Sequence, residues 1–144
     1  MKKLFLLTMI FLLFPSISLA NENEQQYSPA NVNVIVDGKQ IFFDQEPVII
    51  QNRIMVPIRA IVESLGGTVD WEDPGHIIVN KGEIQLYLNV NSNVASLPDR
   101  RFFYLEQPPV IVNGRTLVSI RFISEAIKSN LTLRTAEAVG FLGD

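Results

Sequence analysis

The sequence predicts an α+β fold: a β-rich single domain of short antiparallel strands and hairpins with two short amphipathic helices. Three observations carry that prediction. Alternating apolar runs divided by turn residues recur along the chain, and only two stretches carry a helical period. A strand-to-helix stretch is also written twice, as "NRIMVPIRAIVES" (52–64) and, 62 positions later, as "GRTLVSIRFISEA" (114–126). The two share Arg53/Arg115, Val56/Val118, Ile58/Ile120, Arg59/Arg121, Ile61/Ile123 and Glu63/Glu125. The domain is therefore expected to be built from a pseudo-duplicated β-β-α unit.

Taken in order, residues 1–20, "MKKLFLLTMIFLLFPSISLA", have the three-part layout of a secretory signal peptide. Lys2 and Lys3 open it, an apolar run over 4–14 follows, Pro15 breaks the run, and small residues at Ser18 and Ala20 place cleavage after Ala20. The run falls short of the roughly 20 residues that a membrane span needs. A retained N-terminal membrane anchor is the minor alternative. Residues 21–30, "NENEQQYSPA", are polar and aperiodic and read as a flexible linker.

The domain proper, 31–144, opens on "VNVIVDGKQIFF", where Asp37–Gly38 between alternating runs signals a tight hairpin. Val34 and Val36 share one face, with Ile41 and Phe43 on the opposing strand. "PVII" is a second extended run, and Gln51–Asn52 offers the next turn before "RIMV". Pro57 suits a first helical turn, and Ile58, Ile61, Val62 and Leu65 then follow at i, i+3, i+4 and i+7. Gly66–Gly67 ends the helix. Short β-type runs, "TVDW", "HIIV" and "EIQLYLNV", follow, divided by Asp73–Pro74–Gly75 and Lys81–Gly82.

The second half replays the first without gaps, so the internal repeat covers about 33–71 and 95–133. Over 47–71 against 109–133, nine of twenty-five positions are identical, enough to set the register of the repeat without ambiguity. Its helix is expected to turn Ile120, Ile123 and Ile127 inward, with Ser119 as N-cap and Asn130 as the left-handed stop. After Leu133 the second copy runs out, leaving no room for counterparts of the strands that follow Trp71.

Composition narrows the function classes. The formal net charge is −3, and loss of Lys2 and Lys3 with the signal makes the mature chain more acidic still. A nucleic-acid partner normally requires a basic patch, so none is expected. The absence of cysteine excludes disulfides, thiolate nucleophiles and thiolate metal ligands, and stability must come from packing. One histidine, His76, does not make a copper or zinc site, so no cofactor and no copper are expected. No serine lies in a Gly-x-Ser-x-Gly elbow, and no glycine cluster forms a phosphate cradle.

At this point the residues carry a resemblance. "PVIIQNRIMVPIRAIVESLGGTVDWED", followed by "PPVIVNGRTLVSIRFISEAI", resembles the copper amine oxidase N-terminal-like domain, or stalk domain, of exported proteins of Gram-positive, spore-forming bacteria. The family's turn with Asn/Gly–Arg maps to Asn52–Arg53, its strand-to-helix junction to residues 55–59, and its helix exit to residues 63–71. The likeness covers roughly 33–133. It implies a small α+β domain outside the membrane, attached to wall-associated modules or standing alone. It implies neither copper nor oxidase activity, because in the namesake enzymes the chemistry belongs to a separate catalytic domain. Ser119 in place of the expected proline and the shortened second copy are the two departures.

The leading expectation is thus a secreted, non-enzymatic module at the bacterial cell envelope that contacts a cell-wall polymer or another exported protein. Arg59–Glu63 and Arg121–Glu125, spaced i, i+4, read as structural clamps whose guanidiniums reach carbonyls or a carboxylate across the domain. The alternative is that both arginines grip an anionic ligand. Trp71, Arg100, Arg101, Phe102 and Tyr104 form the candidate ligand or partner surface, with strand alternation sending Phe103 the other way. Two rival functions stand beside this one. The first is a small secreted glycan hydrolase using carboxylates among Asp70, Glu72, Asp73 and Glu106. The second is a regulator or inhibitor of another exported protein.

Overall fold

The computed structural model describes residues 26–127 and the backbone of a strand at Leu131–Thr135. The signal peptide, the start of the linker and Asn130 lie outside the described residues. The elements run β1 (Ser28–Pro29), β2 (Val32–Val36), β3 (Lys39–Ile41), β4 (Val48–Ile50), β5 (Arg53–Pro57), α1 (Ile58–Ser64) and β6 (Thr68–Glu72). Then follow β7 (His76–Lys81), β8 (Ile84–Asn89), β9 (Val94–Ser96), β10 (Phe102–Tyr104), β11 (Val110–Val112), β12 (Arg115–Ser119), α2 (Ile120–Ala126) and β13 (Leu131–Thr135). They form an α+β, β-rich fold of three antiparallel sheets, ordered β1-β4-β5-β12-β11, β10-β9-β8-β7-β6 and β13-β2-β3. Residues 28–29, at the end of the expected linker, already belong to the fold, pairing with Val48 and Ile49 of β4.

Three hairpins turn where both central residues sit left-handed: Asp37 and Gly38 (φ 47° and 81°), Gln51 and Asn52 (47° and 62°), Asn113 and Gly114 (49° and 74°). That backbone matches the right-handed twist of the flanking strands and fixes their register. Val34 consequently faces Ile41, and Val48 faces Met55 as Val110 faces Leu117.

The two strand–strand–helix stretches meet at the middle of the first sheet. There Leu117 pairs with Pro57, Val118 with Val56 and Ser119 with Met55. Under the 62-residue offset of the sequence, this register maps onto itself, with Val56 opposite its own counterpart Val118. Both valines are fully buried.

Each helix follows its strand without a loop. α1 buries Ile58, Ile61 and Val62, and α2 buries Ile120, Phe122, Ile123 and Ala126, as the 3.6 period requires. Gly66, at φ 80°, carries the left-handed turn that ends α1. Ser119 does take the N-cap position of α2, but its side chain makes no capping hydrogen bond. Pro57 occupies the matching position, one residue before the first turn, where no N–H is needed.

The main core lies between the helices, β2 and the inner face of the second sheet, and includes Ile61, Ile123, Ile77 and Leu86, with the partly buried Phe103 packed against it. A smaller apolar cluster of six, Val48, Ile50, Met55, Val110, Val112 and Leu117, occupies the other face of the first sheet.

β13 follows α2 as β6 follows α1, and it pairs with β2 from Leu131↔Val36 to Thr135↔Val32. β6 instead pairs with β7, and the β7–β8 hairpin stands between it and β9. Among the described residues that hairpin has no counterpart in the second half.

Candidate functional site

Two ion pairs tie the halves together. Arg53 Nε donates to Glu106 Oε2 at 2.7 Å, and Arg115 Nε donates to Asp44 Oδ2 at 2.7 Å. Residues 44 and 106 are separated by 62 positions, as are residues 53 and 115. Each arginine therefore reaches the acid of the opposite half. The cause is local: the turn delivers an arginine at the first position of β5 and of β12, beside the acid that precedes the opposite hairpin.

The Arg53 hydrogen bond and then its charge hold the Glu106 carboxyl below its usual range. Arg115 acts likewise on Asp44, and Asp44 in turn raises the Arg115 guanidinium. All four groups are partly or well exposed, so solvent screening leaves the pairs a modest share of stability.

Arg59, Glu63, Arg121 and Glu125 are exposed, and among the described residues none of them makes a hydrogen bond or ion pair through its side chain. The cross-domain ties expected of Arg59 and Arg121 are made by Arg53 and Arg115. The sequence held the signal for this, since Arg53/Arg115 belong to the repeated pattern and acids stand at the same offset.

Arg59 and Arg121 line two corresponding grooves. One, of about 880 Å³, runs between α1 and the β11–β12 turn; the other, of about 710 Å³, lies between α2 and the β4–β5 turn. Each is walled by the helix's first residue and its arginine, with one cross-domain ion pair at its side. Among the described residues only the first contains aromatic side chains, Phe42 and Trp71, together with Ile111. Phe42 and Ile111 escaped the sequence reading. Alternation assigns Phe42 to the outward face, yet nothing local brings it to the groove that Trp71 also lines.

The aromatic surface is split. Phe102 and Tyr104 stand exposed on β10 (64% and 77%), their ring centroids 6.5 Å apart in an edge-on arrangement. Phe103 points inward, edge-on to Phe122 at 6.1 Å, as alternation requires. Tyr87 joins the outer face through the register Tyr87↔Ser96↔Phe102. Arg100 occupies the β9–β10 turn at φ 67°, and Arg101 pairs with Asp99 at 2.7 Å. Trp71, however, lies on β6 at the opposite edge of this sheet, four strands or roughly 19 Å away at about 4.8 Å per strand.

Asp70 and Glu72 share one face of β6, with His76 opposite Glu72. Among the described residues no three His, Cys, Asp or Glu side chains come together as metal ligands, and no helix is long and apolar enough to cross a membrane.

Against known families, residues 35–138 match the copper amine oxidase N-terminal domain. The chain belongs to that family. The match takes in both helices, both grooves and the two cross-domain ion pairs. In copper amine oxidases this N-terminal domain is a non-catalytic module. No curated protein matches the chain closely enough to serve as a relative.

Proposed function

We propose that this chain is an exported, non-catalytic module of the bacterial cell envelope that holds an extended segment of another exported protein. The observation that carries this reading is the edge strand β10. Among the described residues it pairs with β9 alone, and it presents Phe102 and Tyr104 to solvent. An open strand edge supplies main-chain hydrogen bonds to an incoming strand, and flanking aromatics supply contact area at low entropic cost. The family's non-catalytic character and the signal-type N-terminus support it. A fused duplication of the β-β-α unit, supported by the self-matching Val56–Val118 register, makes the rest of the molecule its scaffold.

The test is a pull-down with residues 21–144 on culture supernatant and on purified cell walls. One exported protein is retained in proportion to the bait, and Phe102→Ser/Tyr104→Ser loses it while unfolding at the same temperature. Retention unaffected by that double substitution overturns the reading, as does binding to walls alone.

A further inference from the structure

Phe42, Trp71 and Ile111 are 83%, 40% and 54% exposed, and all three line the groove beside α1. They come from distant regions of the chain: the segment after β3, strand β6, and strand β11. Single exposed apolar side chains are ordinary, but here three line one groove of about 880 Å³.

The charged lining narrows the ligand. Asp44 and Arg115 satisfy each other. Arg59 and Glu63 stand one helical turn apart on α1 and, among the described residues, form no ion pair. They leave a fork of donors beside a pair of acceptors. The four formal charges cancel, so neither an anion nor a cation is favoured. A wholly apolar ligand would cover Arg59 and Glu63 without partners, which is costly. A neutral ring with one C–H face and a rim of hydroxyls meets every demand. Its face stacks on the aromatics, and its hydroxyls, each both donor and acceptor, bond the guanidinium and the carboxylate.

We propose that the groove between α1 and the β11–β12 turn binds a neutral saccharide, with a pyranose ring stacked on Trp71 and Phe42 and its hydroxyls shared by Arg59 and Glu63. The groove beside α2 serves as an internal control. It keeps the arginine and the ion pair, but among the described residues its lining of Gln51, Asn52, Ile54 and Ser124 offers no ring to stack on. The proposal rests on residues apart from β10, so it stands or falls separately from the protein-binding role.

Trp71 is the only tryptophan, so its fluorescence reports on this groove alone. Residues 21–144 are titrated with two neutral probes, chitotetraose and maltotetraose. At least one produces a saturable emission change at about millimolar concentration or below. Arg59→Ala and Phe42→Ala each weaken it about tenfold or more without altering thermal unfolding. Arg121→Ala and Phe102→Ser leave it unchanged. The proposal is overturned if neither probe saturates by about 10 mM, if Arg121→Ala weakens binding as much as Arg59→Ala, or if only a charged tetra-galacturonate responds.

Discussion

The groove beside α1 and the groove beside α2 share a frame and differ in lining. Each has a helix opening on isoleucine and arginine, a left-handed turn facing it, and an ion pair crossing to the other half. Positions identical under the offset, such as Ile58/Ile120, Arg53/Arg115 and Val56/Val118, build that frame. Positions where the halves diverge set the linings apart: Phe42 lines the first groove while its counterpart Tyr104 stands on β10, and Ser124 lines the second while its counterpart Val62 is buried. Agreement between the two stretches thus falls on the frame, and a specific function is best sought where they disagree. Arg59 and Arg121 are the instructive exception, identical and yet on the groove walls.

The comparison can be broken most severely in the core. Ile61 and Ile123 are both fully buried. Ile61→Ala and Ile123→Ala should each lower stability by about 2–5 kcal/mol in urea unfolding, within a single transition. Losses that differ by more than about 2 kcal/mol would mean that the halves do not share the frame equally. Next comes Gly67, where a Cβ would lie 2.5 Å from the Asn80 carbonyl oxygen and 2.7 Å from Val62 Cγ1. Asn80 belongs to β7, which among the described residues has a place in the first half only, and position 129 already carries serine. Gly67→Ser should therefore cost about 1–3 kcal/mol, read as a lowered Tm.

Smaller effects sharpen the comparison further. Asp44 and Glu106 have folded-state pKa values below their ordinary ones. The stability they contribute is complete above the ordinary carboxylate range and is lost as pH falls through the folded-state values. Between about pH 6 and about pH 3, Arg53→Met/Arg115→Met should lose less stability than the parent chain, and the difference should shrink in high salt. Smallest of all, Arg59→Ala and Arg121→Ala should leave Tm unchanged, since neither side chain has a partner among the described residues. A fall in Tm would restore them as clamps.

Local signals made much of this molecule legible. Asp37–Gly38 and Asn113–Gly114 announce their turns, the 3.6 period marks both helices, and alternation separates Phe103 from Phe102 and Tyr104. Long-range facts were not legible. No residue of β2 states that β13 will lie against it, and neither Phe42 nor Trp71 states that the two will line one groove. Those outcomes depend on how sheets pack, which periodicity does not encode. The arginine ties fall between these cases. Their residues were visible in the repeat, but an exposed guanidinium's choice of carboxylate rests on a few ångströms that spacing along a chain cannot resolve.

The pairing of β2 with β13 has a mechanical consequence. Val32 lies beside Thr135 and Val36 beside Leu131, so the outward-leading ends of the two strands emerge together. Tension applied between the chain preceding β2 and the chain following β13 opens this ladder from that shared end. Its hydrogen bonds then break in succession, as in a zipper, instead of resisting together in shear. Under load between Val32 and Thr135 themselves, the small sheet peels from that shared end while the helices and their central strands stay clasped.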